Sequence, residues 1–287
     1  MNDSYAVIDA HQHFWQIGQH DCCWPTPDLT AIYRDFGLQD FLPLARANSV
    51  SGSVLVQTQQ SDADTDYLLG LAEQSDFIKA VVGWVDLASP AAPERIAQLA
   101  QHPKMRGLRP MLQCLPEDDW ILRPELEPAI AAMKTQKLSL DALVYTRHLT
   151  HLEIFAQRHP ELAIVLDHAA KPAVIAADRP ADDWCYAITR MAGMPNVYCK
   201  ISGLSTEAGK DQGEAELAPY IQHLLQAFGA RRLMWGSDWP VIGLAPNKQL
   251  SRYHNWLNVA QRILAGCNTS EIEQVFIGTS LRFYRIT

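Results

Sequence analysis

Short apolar runs recur along this chain at roughly thirty-residue intervals with helical periodicity between them, and this alternation constrains the fold more than any other feature. The runs fall at residues 7–13, 53–57, 80–85, 105–109, 138–145, 163–168, 196–202 and 232–237. Helices are expected over 38–48, 66–75, 93–101, 125–137, 151–158, 182–191 and 215–228, the last with Tyr220, Ile221, Leu224, Leu225 and Phe228 on one face. Most runs are continuously apolar, so both faces of each strand should be covered, which is the habit of parallel strands. Eight such strands with returning helices close into a (β/α)8 TIM-like barrel, and 287 residues suit one barrel spanning 1–287 as a single domain. An open doubly wound sheet would carry a glycine-rich phosphate loop after its first strand, where His11-Gln12-His13-Phe14 stands instead.

Two segments fall outside the repeat. Residues 14–33 have neither helical nor strand periodicity and read as a long loop, with Trp15 and Trp24 placed to wall a substrate pocket. Residues 255–284 read as closing helices, with Ser270 and Glu273 spaced as a capping box. A formal net charge of −8 without clustered Lys or Arg excludes a surface that tracks nucleic-acid phosphates. No run is long enough to span a membrane, and residues 1–4 lack the basic start of a signal peptide. Six scattered cysteines without a C-x-x-C pair indicate neither a disulfide scaffold nor a zinc ribbon, so a reducing cytoplasm is the expected compartment.

Barrel active sites lie where the strands end. The first run delivers His11 and His13, one residue apart and therefore on one face of the strand, with Asp9 expected on that face one step below as a carboxylate supporting the rings. The other strand ends supply Arg109, Tyr145, His168, Lys200, Ser202 and Asp238. Lys200 lies in an apolar run, where an unpaired ammonium is costly, so a carboxylate or an anionic substrate is its expected partner. Asp238 precedes Trp239-Pro240, and the last strand of a closed barrel lies beside the first.

Several strings match a known family: Ile8-Asp9-Ala10-His11-Gln12-His13-Phe14-Trp15, Gly107-Leu108-Arg109-Pro110, Arg147-His148-Leu149, Leu166-Asp167-His168-Ala169-Ala170-Lys171-Pro172, Lys200-Ile201-Ser202-Gly203-Leu204 and Trp235-Gly236-Ser237-Asp238-Trp239-Pro240. In this order and spacing they resemble the amidohydrolase superfamily, in its amidohydrolase-2 branch. Within it the chain is similar to the group holding sugar-acid lactonases and pyrone-dicarboxylate lactonases. The resemblance implies a distorted (β/α)8 barrel with His11, His13, His168 and Asp238 around a hydrolytic water. Binuclear members bridge two metals with a strand-four lysine, but Arg109 ends that strand here. At most one divalent ion, zinc by donor chemistry, is therefore expected, and some lactonases of the branch work without metal.

The expected reaction is hydrolysis of a small lactone, with Asp238 taking a proton from water while His11, His13 and His168, or an ion they hold, polarise the carbonyl. Arg109 suits a carboxylate, a hydroxyl or the developing oxyanion, and Tyr145, His148, Lys200 and Trp15 are candidates for orienting the substrate. A zinc-dependent decarboxylase on the same barrel would use the same four residues and stays open at this stage. A sugar-binding barrel without catalysis is disfavoured, since a binder needs no general base beside paired histidines.

Overall fold

A computed structural model describes residues 6–175 and 179–287. Residues 1–4, whose composition entered the reading of compartment, lie outside the described residues. The strands are β1 (Val7–Gln12), β2 (Val50–Val56), β3 (Ile78–Gly83), β4 (Met105–Leu108), β5 (Ser139–Ala142), β6 (Ile164–Leu166), β7 (Val197–Ile201) and β8 (Leu233–Trp235). They pair in sequence order, each parallel to the next, in one eight-stranded sheet. Closure between first and last strand is narrow. It consists of a bridge between Gln12 and Trp239, with His13 N donating to Trp239 O at 2.8 Å and Asp238 N donating to His11 O at 2.8 Å. Gly236 permits that approach, because a Cβ there would stand 2.7 Å from His11 Cβ.

The connecting helices are α1 (Leu38–Ala47), α2 (Asp62–Glu73), α3 (Ala92–Leu99), α4 (Glu127–Thr135), α5 (Leu149–Arg158), α6 (Asp182–Ala192), α7 (Glu214–Phe228) and α8 (Tyr253–Ile263). Outward strand residues such as Leu55, Leu140, Cys199 and Trp235 join helix residues such as Leu68, Ile130, Ile188 and Trp256 in one shell. Inward residues Ile8, Val54, Ala80, Val165 and Met234 form a second, smaller cluster inside the barrel. Phe283 and Tyr284, which follow α9 (Thr269–Glu273) and lie at the end of α10 (Thr279–Phe283), belong to this inner cluster. Phe283 packs 4.8 Å from the ring of Tyr198 near the start of β7, so the C-terminal residues cover the end of the barrel where the strands begin.

The departures from the expected boundaries have local causes. Strand six stops at Leu166 because His168, Ala169, Ala170 and Lys171 all take left-handed backbone, with φ of 54°, 52°, 59° and 49°. Helix α2 starts at Asp62, four residues early, because Ser61 Oγ accepts from Ala63 N at 3.0 Å and Asp64 N at 3.3 Å. The capping box in the tail is Asn268 with Glu271, two residues before the expected pair Ser270 and Glu273. Among the described residues the cysteines are free, and no helix is long and apolar enough to cross a membrane.

Candidate active site

The first strand builds the site through an irregularity. Its register against β2 shifts between Asp9 and Gln12. Ile8 and Ala10 face the barrel interior, and Asp9 turns outward, its carboxylate accepting from His11 N at 3.2 Å, Ser237 N at 2.8 Å and Tyr253 Oη of α8 at 3.0 Å. His11 then faces inward like Ala10, which is what a bulge does to alternation. The expectation that Asp9 shares the histidine face is thus corrected: Asp9 fastens β1 to the residues after β8. Burial pushes its carboxyl up to about 6, against the hydrogen bonds from Ser237, His11 and Tyr253.

Three imidazoles and one carboxylate converge. Asp238 Oδ1 lies 3.3 Å from His13 Nε2, 3.7 Å from His11 Nε2 and 3.9 Å from His168 Nε2, and the two β1 rings meet at 3.1 Å between Nε2 atoms. Each ring is held by its other nitrogen. His13 Nδ1 donates to Val56 O at 2.8 Å, His168 Nδ1 shares a 2.9 Å bond with Ser202 Oγ, and His11 Nδ1 lies 3.1 Å from Lys200 Nζ and 3.3 Å from Asp167 Oδ1. Both His168 and Asp238, φ 58°, are non-glycine residues in left-handed backbone, a conformation that costs about 1–2 kcal/mol per residue and is held by the surrounding packing.

Burial lowers the histidines: His168 falls to about 4 despite the opposing charges of Asp238 and Asp167, and His11 and His13 are also lowered. Burial alone would raise Asp238, but His168, His13 and His11 around it more than reverse that, so its carboxyl ends well below its ordinary value. The result is a buried carboxylate held in its ionised form where three imidazoles meet.

The same geometry tests whether a metal ion fits. Donors bound to one zinc at 2.0–2.1 Å from the ion stand about 3.4 Å apart in a tetrahedron. Asp238 Oδ1 lies 3.3–3.9 Å from the three rings and the His11 and His13 Nε2 atoms lie 3.1 Å apart, distances that bracket that spacing, and His11, His168 and Asp238 form a group able to hold an ion. His13, whose Nδ1 carries the proton given to Val56 O, presents a free lone pair at Nε2. The residues fit one ion.

Beneath this set lies a fully buried charge network. Lys200 Nζ reaches Asp141 Oδ2 at 2.6 Å, Asp167 Oδ1 at 2.9 Å and His11 Nδ1 at 3.1 Å. Arg109 donates through NH1 to Asp167 Oδ2 at 3.2 Å and through NH2 to Gln57 O, and its NH1 lies 3.3 Å from His11 Nε2. Burial would raise Asp167, but Lys200, His11 and Arg109 hold it well below its usual value.

Above the set opens a cavity of about 620 Å³, with His13, His168, Asp238 and Arg109 at its base and Trp24, Gln59, Met111, Gln113, Lys171 and Thr206 among its walls. The long loop reaches it through Gln59, which accepts from Cys23 N at 3.1 Å and Trp24 N at 3.3 Å and donates to Trp24 O at 2.7 Å.

The expected site residues therefore divide. His11, His13, His168, Asp238 and Arg109 come together. Lys200 lies below them, its ammonium taken by protein carboxylates instead of facing the cavity. Trp15 is buried behind Trp24, donating Nε1 to Arg34 O at 2.8 Å. His148 turns back on the entry to α5, its Nδ1 accepting from Tyr145 N at 3.0 Å, and Tyr145 stands behind Lys171, whose Nζ is 5.7 Å from its ring centre. None of these three is among the described residues lining the cavity. Sequence reading passed over Asp141, Asp167 and Tyr284. Period two along β5 and β6 would have found the aspartates, two residues beyond the inward Ser139 and Val165.

A (β/α)8 barrel with this cluster at its strand ends matches the amidohydrolase family, whose profile covers residues 8–286, and the chain belongs to that family of hydrolases. A relative from Burkholderia ambifaria named L-fucono-1,5-lactonase is 49% identical over 280 residues, 97% of this chain and 95% of its own. Another of that name, from Burkholderia multivorans, is 38% identical over 253 residues, 83% of each chain. Among solved structures, a Burkholderia multivorans amidohydrolase with bound zinc superposes with a TM-score of 0.90 at 33% identity, covering 99% of this chain and 100% of that one. A probable 2-pyrone-4,6-dicarboxylic acid hydrolase from Acinetobacter baumannii, with citric acid bound, shares the fold at a TM-score of 0.79 and 15% identity, over 98% and 99% of the two chains.

Proposed function

We propose that this chain opens the lactone ring of a sugar acid, with Asp238 as the proton acceptor for the attacking water. The observation that carries this is an ionised carboxylate facing three imidazole edges at the base of a cavity. The names of the two Burkholderia relatives support a sugar-acid 1,5-lactone as substrate. In the reaction, Asp238 takes a proton as water oxygen bonds to the lactone carbonyl carbon. The bond to the ring oxygen then breaks, and that oxygen recovers the proton, leaving a hydroxy acid that ionises in solvent.

A carboxylate held below its ordinary pKa is a weak base, so the carbonyl must be polarised for this step to run. Arg109 NH1 and the Nε2 edges of His11 and His168 surround the place where charge develops and stabilise the oxyanion. A divalent ion, zinc by donor chemistry, would be held by His11, His13, His168 and Asp238 and would supply Lewis-acid polarisation. The cavity walls, Trp24, Gln113, Lys171 and Thr206, would orient the sugar hydroxyls.

A proton-release screen across aldonolactones and aromatic-pathway lactones tests the reading, because each opened ring yields one acid. Turnover of sugar-acid lactones is the expected result, and no turnover on either group would overturn it. Elemental analysis is expected to find no more than one divalent ion per chain. Two ions, with activity lost on chelation and restored by metal, would mean that some side chain other than a strand-four lysine bridges a binuclear centre.

A further inference from the structure

The inner cluster contains one polar group whose presence packing does not explain. Tyr284, fully buried near the end of the chain, donates Oη to Asp141 Oδ2 at 2.6 Å. The adjacent Phe283 shows that a phenyl ring can cover this end of the barrel, so the Tyr284 hydroxyl is not needed for the seal. A buried hydroxyl is costly unless bonded, and this one is bonded to an oxygen that also takes Lys200 Nζ at 2.6 Å. The ammonium hydrogen-bonds Asp141 Oδ2, pairs with Asp167 Oδ1 at 2.9 Å and lies 3.1 Å from His11 Nδ1. Its position is therefore fixed by the two aspartates, and through it so is the Nδ1 edge of His11. The ring of Tyr284, 5.6 Å from Nζ, closes the space beneath the ammonium. On its other oxygen Asp141 accepts from Ser139 Oγ at 3.2 Å.

We propose that Tyr284 is a positioning residue for His11, acting through Asp141 and Lys200, so that the last residues of the chain set the geometry of the site at the opposite end of the barrel. The inference rests on the reading of His11 as part of the hydrolytic site. Without the hydroxyl, Asp141 Oδ2 keeps Lys200 as its only partner and the carboxylate is free to turn about its Cβ–Cγ bond, carrying the ammonium off the His11 edge.

The test compares Tyr284→Phe with Phe283→Leu, a packing change in the same seal. Two quantities are read: kcat and KM on a sugar-acid lactone, and the imidazole ¹⁵N signals of His11 in protein labelled at histidine. For Tyr284→Phe, kcat should fall about 10–100-fold, the scale on which groups supporting a site residue act, with KM within about twofold of wild type and the His11 signals moved. Phe283→Leu should melt earlier while keeping both kcat and the His11 signals. Unchanged kcat and His11 signals in Tyr284→Phe would overturn the proposal, as would equal changes in both variants, which would mark a general loosening. Should Tyr284→Phe fail to fold, a fluorotyrosine placed at position 284, which keeps the ring and changes the donor strength of its hydroxyl, carries the same two readouts: moved His11 signals and altered kcat are expected, and neither moving would overturn the proposal. If wild-type protein turns over no lactone, the substrate reading fails, while the ¹⁵N signals still decide whether Tyr284 positions His11.

Discussion

The two ends of the barrel interior use the same strands for opposite purposes. Where the strands begin, Ile8, Val54, Ala80, Val165 and Met234 pack with Phe283 and Tyr284 into an apolar plug. Two residues further along β6 stands Asp167, and four beyond Met234 stands Asp238, in a layer that buries Lys200, Arg109, Asp141 and three histidines as completely as the plug buries valine. Burial alone therefore does not separate the two regions. The plug is stable residue by residue, each side chain gaining from its own removal from water. The charged layer is stable only as a set, because a buried ion missing its partner is left with the full cost of desolvation.

That difference sets what each substitution should do. The largest effect is expected from Asp238→Asn, which preserves shape and removes the proposed proton acceptor: lactone turnover should fall on the order of 10²-fold or more, with the circular dichroism spectrum unchanged. Near wild-type turnover would remove Asp238 from the chemistry. Arg109→Lys keeps the charge but loses the fork that reaches Asp167 and Gln57 together, and should lower kcat/KM by about 10-fold or more. Its loss of melting temperature should be smaller than that of Met234→Ala. The reverse order would assign Arg109 to structure. In the plug, Met234→Ala should cost about 2–5 kcal/mol in denaturant unfolding, with kcat almost untouched. A large fall in kcat there would mean the two layers are not separable.

A further effect concerns pH. Asp64 accepts from Thr58 N and Gln59 N under the cavity wall, and burial raises its carboxyl from 3.8 to about 6 against those bonds. The folded state thus favours the protonated acid. Relative to Asp64→Asn, wild type is most stable below pH 3.8 and loses that advantage as the pH rises through about 6. The change is at most about 3 kcal/mol, at about 1.4 kcal/mol for each unit between the two values. Melting both proteins at pH 4 and pH 7 checks the sign, and a constant difference would show that Asp64 ionises freely.

The same contrast explains which parts were readable from sequence. The barrel was legible because the plug and outer shell are built from additive apolar choices, visible as eight mostly continuous apolar runs with 3.6-residue periodicity between them. His11, His13, His168 and Asp238 were legible because residues at strand ends converge in a closed barrel, whatever the loops do. Asp9 was misread because a bulge reverses alternation without any glycine to announce it. The left-handed turn from His168 to Lys171 was equally hidden, since His-Ala-Ala-Lys contains neither glycine nor asparagine. Lys200 was correctly seen to need a partner, but Asp141, Asp167 and Tyr284 come from three other places in the chain, and only the fold joins them.

The central claim, hydrolysis of a sugar-acid lactone by water activated at Asp238, is tested most directly by following L-fucono-1,5-lactone in ¹⁸O-labelled water with wild-type protein and with Asp238→Asn as the background. One ¹⁸O in the new carboxylate and one proton released for each ring opened, well above the variant's rate, is the predicted result. Release of carbon dioxide from an aromatic acid on the same barrel, with no ring opening above that background, would contradict it.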